Sequence, residues 1–178
     1  MKESVDYITK SIQHIFKEDI ENTDKFVDSI IGSRRIFIYG VGRSGLIAKA
    51  FAIRLVQMGL EVYFIGETIT PIVEEGHLVI IVSQTGETMS AVQTANIVRR
   101  VGARVITITS GGHSKLASAS NLVVVIDPSK DDDRKRLAPL GTLFEDATLI
   151  YLDGIVAQLM EKLGQSEGSM RKRHAIWV

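Results

Sequence analysis

Leu78-Val79-Ile80-Ile81-Val82-Ser83-Gln84-Thr85-Gly86-Glu87-Thr88 is the stretch that decides the fold. Its first half is an apolar run without polar alternation, the pattern of a strand buried on both faces of a helix-covered parallel sheet. Its second half turns through Gly86 into a helical pattern over residues 88–101, closed by Gly102. The same punctuation recurs on either side. Residues 35–39 read as a strand, followed by a helix over 44–58 that Gly59 closes. Residues 62–65 read as a second strand, followed by a loop containing Pro71. Residues 104–109 and 122–126 are the fourth and fifth strands, joined by a short helical piece around 115–118. Residues 3–31 read as one or two amphipathic helices, with Val5, Ile8, Ile12, Ile15 and Phe16 at helical spacing. A long helix over 142–163 and a polar tail over 164–178 complete the chain. The alternation predicts an α/β fold, a doubly wound five-stranded parallel sheet with helices on both faces. One domain over 1–178 is expected, with the sheet and its crossover helices in 35–126.

Composition narrows the class. A chain of 178 residues, 45% hydrophobic and 24% charged, carries enough apolar material for a core without staples. The net charge is zero, and the runs Asp131-Asp132-Asp133 and Arg134-Lys135-Arg136 nearly cancel, so nothing draws the chain toward nucleic acid. The absence of cysteine excludes disulfides, thiolate nucleophiles and cysteine-based zinc sites. No basic stretch leads into an apolar run at the start, and no apolar run is long enough for a bilayer. A cytoplasmic protein without membrane partners is expected.

Two loops carry the chemistry. Gly40-Val41-Gly42-Arg43-Ser44-Gly45 passes from the first strand into a helix, where main-chain N–H groups favour an anion. Gly40, Gly42 and Gly45 have G-x-G-x-x-G spacing, but alone that is weak evidence for a dinucleotide site. Glu67 after the second strand is only a loose match to the acid such a site needs. The second loop, residues 83–88, gathers hydroxyls from Ser83, Thr85 and Thr88 and an amide from Gln84 around one helix start. It holds no lysine and so is not a nucleoside-triphosphate loop; its chemistry suits a phosphomonoester. Helix capping explains one such residue, not four. If the strand order is 2-1-3-4-5, both loops lie at the switch point where doubly wound sheets bind ligands.

These loops, in this order and spacing, resemble the SIS domain of phosphosugar isomerases and phosphosugar-binding regulators. Gly66-Glu67-Thr68-Ile69-Thr70-Pro71, Gly141-Thr142-Leu143-Phe144-Glu145 and Arg173-His174-Ala175 extend the likeness toward 6-phospho-3-hexuloisomerase. That resemblance covers essentially the whole chain. It implies interconversion of 3-hexulose 6-phosphate and fructose 6-phosphate, with no metal or organic cofactor and a homotetrameric assembly. It also implies that Ser44 and Ser83, Gln84, Thr85, Gly86, Glu87 and Thr88 bind substrate and that Glu145 accepts the proton. Two departures stand out. Gln84 and Thr85 replace the Gly-Ser of the family's Ser-Gly-Ser-Gly-Glu-Thr, and Ile176-Trp177-Val178 replaces the Asn-Leu-Glu that follows its His-Ala.

Moving a carbonyl from C3 to C2 needs a base that removes the C2 proton and returns it at C3. Glu145, in the first turn of the last long helix, would by position alone be a dipole partner; the resemblance makes it the base. Arg43 and His174 are the candidate donors to the enediolate oxygens. Arg43 reads equally as a solvated residue. His174 follows the basic Arg171-Lys172-Arg173 and acts only if the tail folds over a site, its own or a neighbour's. Glu67 lies where it could contact sugar hydroxyls. His14, His77 and His113 show no metal-ligand spacing. An isomerase for another sugar phosphate, or a noncatalytic phosphosugar-binding module, are the alternatives.

Overall fold

The computed structural model describes residues 1–128 and 131–175. The strands β1 (Ile36–Gly40), β2 (Val62–Phe64), β3 (Leu78–Val82), β4 (Arg104–Thr109) and β5 (Leu122–Val125) form one sheet in the order β2-β1-β3-β4-β5. Every pairing is parallel; Ile36 stands opposite Val62 and Leu78, Leu78 opposite Arg104, and Ile106 opposite Leu122. The order that sequence could offer only conditionally is therefore realised, and β1 and β3 are neighbours.

Side chains alternate across a strand, so each strand feeds two layers. Ile36, Ile38, Ile80 and Val82 join a core with α2 (Thr23–Ile31), α3 (Gly42–Gln57) and α7 (Thr142–Lys162). Phe37, Val79 and Ile81 join a second core with α4 (Met89–Arg100) and α5 (Lys115–Ser118). Every residue of β3 is buried between the two, which is why its sequence never alternates. On α4 the buried stripe is Ala91, Ala95 and Val98 at helical spacing, small residues that let the helix lie close on the sheet. Since α3 and α4 leave adjacent strands toward opposite faces, a crevice opens at the strands' carboxyl ends. Among the described residues no helix is long and apolar enough to cross a membrane.

Several boundaries differ from expectation for local reasons. Of the one or two helices expected at the N-terminus there are two, α1 (Lys2–Ile15) and α2, with Asn22 as the N-cap residue of the second. Asn22 takes φ 67° and donates from Nδ2 to Val123 O at 3.0 Å; asparagine tolerates that left-handed backbone. The charged run after β5 contains α6 (Arg134–Leu137), which the polar composition hid. Leu137 is buried, and Arg136 pairs with Glu3 of α1 at 2.7 Å. The segment 164–178, expected to be a plain polar tail, carries α8 (Glu167–Arg171). Ser166 caps that helix in a reciprocal bond pair with Ser169, and Met170 is buried. Ile176, Trp177 and Val178 lie outside the described residues.

Candidate active site

Glycines set the first wall of the crevice. A Cβ added at Gly45 would stand 2.5 Å from Gly40 O, so only glycine lets the first turn of α3 sit on the end of β1. That close packing accounts for Gly40 and Gly45 without a dinucleotide, and Gly42 takes a left-handed φ of +60°. Opposite it, the 83–88 loop is tied down from β4 and α5. Gln84 O accepts hydrogen bonds from Ser110 N at 2.9 Å, Ser110 Oγ at 2.8 Å and Thr109 Oγ1 at 3.0 Å. Gly86 O accepts from Leu116 N at 3.0 Å. Gly86 has φ +63°, and an added Cβ there would overlap Ser114 Oγ, so this position requires glycine twice over.

Between the walls lies a pocket of about 180 Å³ whose polar lining is Ser44, Ser83, Gln84, Thr85 and Thr88, with Val41, Val82 and Ala91 as its apolar part. Ser83 Oγ and Thr88 Oγ1 lie 3.3 Å apart, and Thr85 Oγ1 accepts from Glu87 N at 3.2 Å. The amino ends of α3 and α4 both open on this pocket, placing partial positive charge around a hydroxyl-lined cavity. A phosphate-sized anion is the ligand such a lining fits.

The start of α7 closes one side. Glu145, 8% exposed, has Oε2 bound by the Nε–H of Arg43 from the first turn of α3. The carboxylate in return holds the Arg43 guanidinium firmly protonated, raised above its ordinary value by the hydrogen bond and then by charge. Two side chains lie against Gly141: Gln84 Oε1 and Glu145 Oε1 stand 2.7 and 2.8 Å from where a Cβ on Gly141 would be. Asp146, next along, has its carboxyl pushed up by burial, against the pull of Arg43 and with repulsion from Glu145. Sequence reasoning passed over Asp146; the adjacent acids of the Glu145-Asp146 pair were the available signal.

Of the residues expected at the site, Ser44, Ser83, Gln84, Thr85 and Thr88 line one pocket, and Arg43 and Glu145 are paired. Glu87 is taken up elsewhere. Its Oε1 accepts from Lys115 N at 3.0 Å and its Oε2 pairs with Lys115 Nζ at 2.8 Å, which holds its carboxyl below the ordinary range. It clamps the loop to α5, on the side away from the hydroxyl pocket. Gly86 contributes its backbone turn. Glu67 pairs with Lys49 Nζ at 3.3 Å and lines a different groove, formed by α3 and β2. His174 lines that groove too. Arg173 anchors it there by donating to Gln57 O and Ser169 O at 3.3 Å each and to Gln165 Oε1 at 3.2 Å. Within one chain, then, neither Glu67 nor His174 joins the hydroxyl pocket. His77 is buried, accepting from Glu74 N on Nδ1 at 3.0 Å and packing its ring 5.5 Å from Phe37. His14 and His113 are exposed.

Comparison with known proteins follows the same lines. The family model described as SIS domain matches residues 29–144. A 3-hexulose-6-phosphate isomerase of Bacillus subtilis is 38% identical over 159 residues, 87% of this chain and 86% of the relative. A protein of Aeropyrum pernix, called only an uncharacterized protein, is 41% identical over 192 residues, 98% of this chain and 89% of its own. A crystal structure of a hypothetical protein from Methanococcus jannaschii, presented as inferring a molecular function of 3-hexulose-6-phosphate isomerase, has a TM-score of 0.88. The two are 32% identical, with 99% of each chain covered.

Proposed function

The chain belongs to the SIS-domain family, and from that premise we propose that it is a phosphosugar isomerase that interconverts 3-hexulose 6-phosphate and fructose 6-phosphate. The observation that carries the reading is the junction of a hydroxyl-lined anion pocket with a buried, Arg43-paired Glu145 at the carboxyl ends of β1 and β3. The phosphate sits among Ser44, Ser83, Thr85 and Thr88 and the amino ends of α3 and α4, which fixes the far end of the sugar. Carbons 2 and 3 then extend toward the start of α7.

Glu145 has two unlike oxygens. Oε2 is engaged by Arg43, so Oε1 is the one that takes the proton. The C2–H bond breaks, its electron pair forms the C2–C3 double bond as the C3 carbonyl π pair moves onto O3 to give an enediolate, and Oε1 becomes O–H. Delivery of that proton to C3 completes the transfer, as the hydroxyl proton of O2 passes to O3. Arg43 stands beside the developing enediolate charge and stabilises it. The isomerisation calls on no metal or organic cofactor. His174, held on the outer groove of its own chain, serves the pocket of another copy in this reading. The chain acts as a homotetramer, supported by the exposed apolar residues Leu46, Ile53 and Ile150 on α3 and α7.

The test is a substrate panel, 3-hexulose 6-phosphate against aldose phosphates, with fructose 6-phosphate as readout. Glu145→Gln should lower turnover about a thousandfold and leave the Kd for fructose 6-phosphate within a few-fold. Loss of binding together with turnover would refute the base assignment. Turnover of an aldose phosphate alone would refute the substrate.

A further inference from the structure

Gln84 lines the anion pocket, and its side-chain oxygen lies against Gly141 at the start of α7. Three donors from the end of β4 hold its carbonyl, so its backbone is fixed. From there the side chain reaches across to the start of α7, where its Oε1 and Glu145 Oε1 both lie against Gly141. Gly141 leaves room for both, since a methyl group there would stand inside van der Waals contact of both oxygens. The other carboxylate oxygen is held by Arg43. Glu145 is thus bound at Oε2 by Arg43, with the Gln84 side chain reaching the same glycine as its Oε1.

We infer that Gln84 is a positioning residue for Glu145 and not a ligand of the phosphate. The inference rests on the isomerase reading above. A base that carries one proton between two carbons alternates between carboxylate and carboxylic acid, and its carrying oxygen must stay over the same spot in both states. A primary amide suits both, donating from Nε2 to the carboxylate and accepting at Oε1 from the acid after a half-turn. A hydroxyl-lined phosphate pocket already has donors enough in Ser44, Ser83, Thr85 and Thr88. The charged groups facing Glu145 are Arg43 from α3 and Asp146 from its own helix. The 83–88 loop adds none, because Glu87 is engaged by Lys115.

The experiment compares wild type, Gln84→Ala and Gln84→Glu in three readouts: kcat with the calorimetric Kd for fructose 6-phosphate, the pH profile of kcat/KM, and a carbon-13 titration of Glu145. Gln84→Ala should lower kcat about tenfold with the Kd within about twofold. Gln84→Glu keeps length and shape but sets a second carboxylate beside the first, so the Glu145 titration and the acid limb of the profile should rise by about one unit or more. A Kd raised tenfold at unchanged kcat, with the Glu145 titration unmoved in Gln84→Glu, would overturn the inference. The titration needs no turnover. A wild type that binds fructose 6-phosphate without isomerising it would therefore sink the proposed function while Gln84 is still judged.

Discussion

Gly86→Ala is the sharpest test of how the 83–88 loop is built. The native φ of +63° costs an L-residue about 1–2 kcal/mol. The new methyl would also overlap Ser114 Oγ and stand 2.5 Å from Ser114 Cβ and 3.2 Å from Thr109 Oγ1. Neither neighbour can swing aside freely. Ser114 is buried and caps α5 by accepting from Ala117 N at 3.1 Å, while Thr109 is wholly buried and donates to Gln84 O. Forcing a methyl into such a site costs about 1–3 kcal/mol. The combined penalty is about 2–5 kcal/mol, a large share of a domain's usual stability of about 5–15 kcal/mol. The urea midpoint should fall accordingly. The Kd for fructose 6-phosphate should rise about tenfold as Ser83, Thr85 and Thr88 lose register. In the double variant Gly86→Ala with Ser114→Gly both clashing atoms are gone, and the pair should show favourable coupling of about 1 kcal/mol or more in a mutant cycle. A Gly86→Ala protein with the wild-type midpoint and Kd would refute the steric account of this loop.

Two further outcomes are expected from stability measurements. Thr148 on α7 is fully buried, and its Oγ1 has no hydrogen-bond partner among the described residues. Thr148→Val keeps the branched shape and removes the stranded hydroxyl, so it should stabilise by about 1 kcal/mol and raise Tm by about 2–4 °C; a drop in Tm would contradict this. Glu87 has a folded pKa depressed by Lys115, so its stabilising contribution is present above the ordinary carboxylate value of 4.5 and lost as pH falls through the folded value. The midpoint difference between wild type and Glu87→Gln should accordingly shrink between pH 7 and pH 3, and a constant difference would show that the Lys115 pair contributes nothing.

Much of the fold was legible because it rests on local pattern. The strands at 78–82 and 104–109 and the short helix at 115–118 have the bounds expected from sequence, since continuous apolar runs and glycine stops carry the information within a few residues. The hydroxyl loop was legible for the same reason, as four polar side chains at a helix start have few other uses. Elements dominated by charge were not. The polar run of α6 owes its helix to Leu137 and to Arg136 reaching Glu3 across the chain. The tail likewise owes its path to Arg173 seated against Gly59, where an added Cβ would stand 3.2 Å from the guanidinium carbon.

The sequence by itself determined that a parallel, doubly covered sheet would form and that its third strand would end in a hydroxyl-rich turn at a helix start, because both follow from hydrophobic period and residue chemistry. Only the tertiary structure decided which residues share the site. Arg43 and Glu145 are 102 positions apart, and Gln84, Gly141 and Glu145 converge from two elements. Glu67 and His174 fall instead into a groove on the far side of α3. Spacing along the chain carries no record of these encounters, since they depend on the faces from which helices leave neighbouring strands.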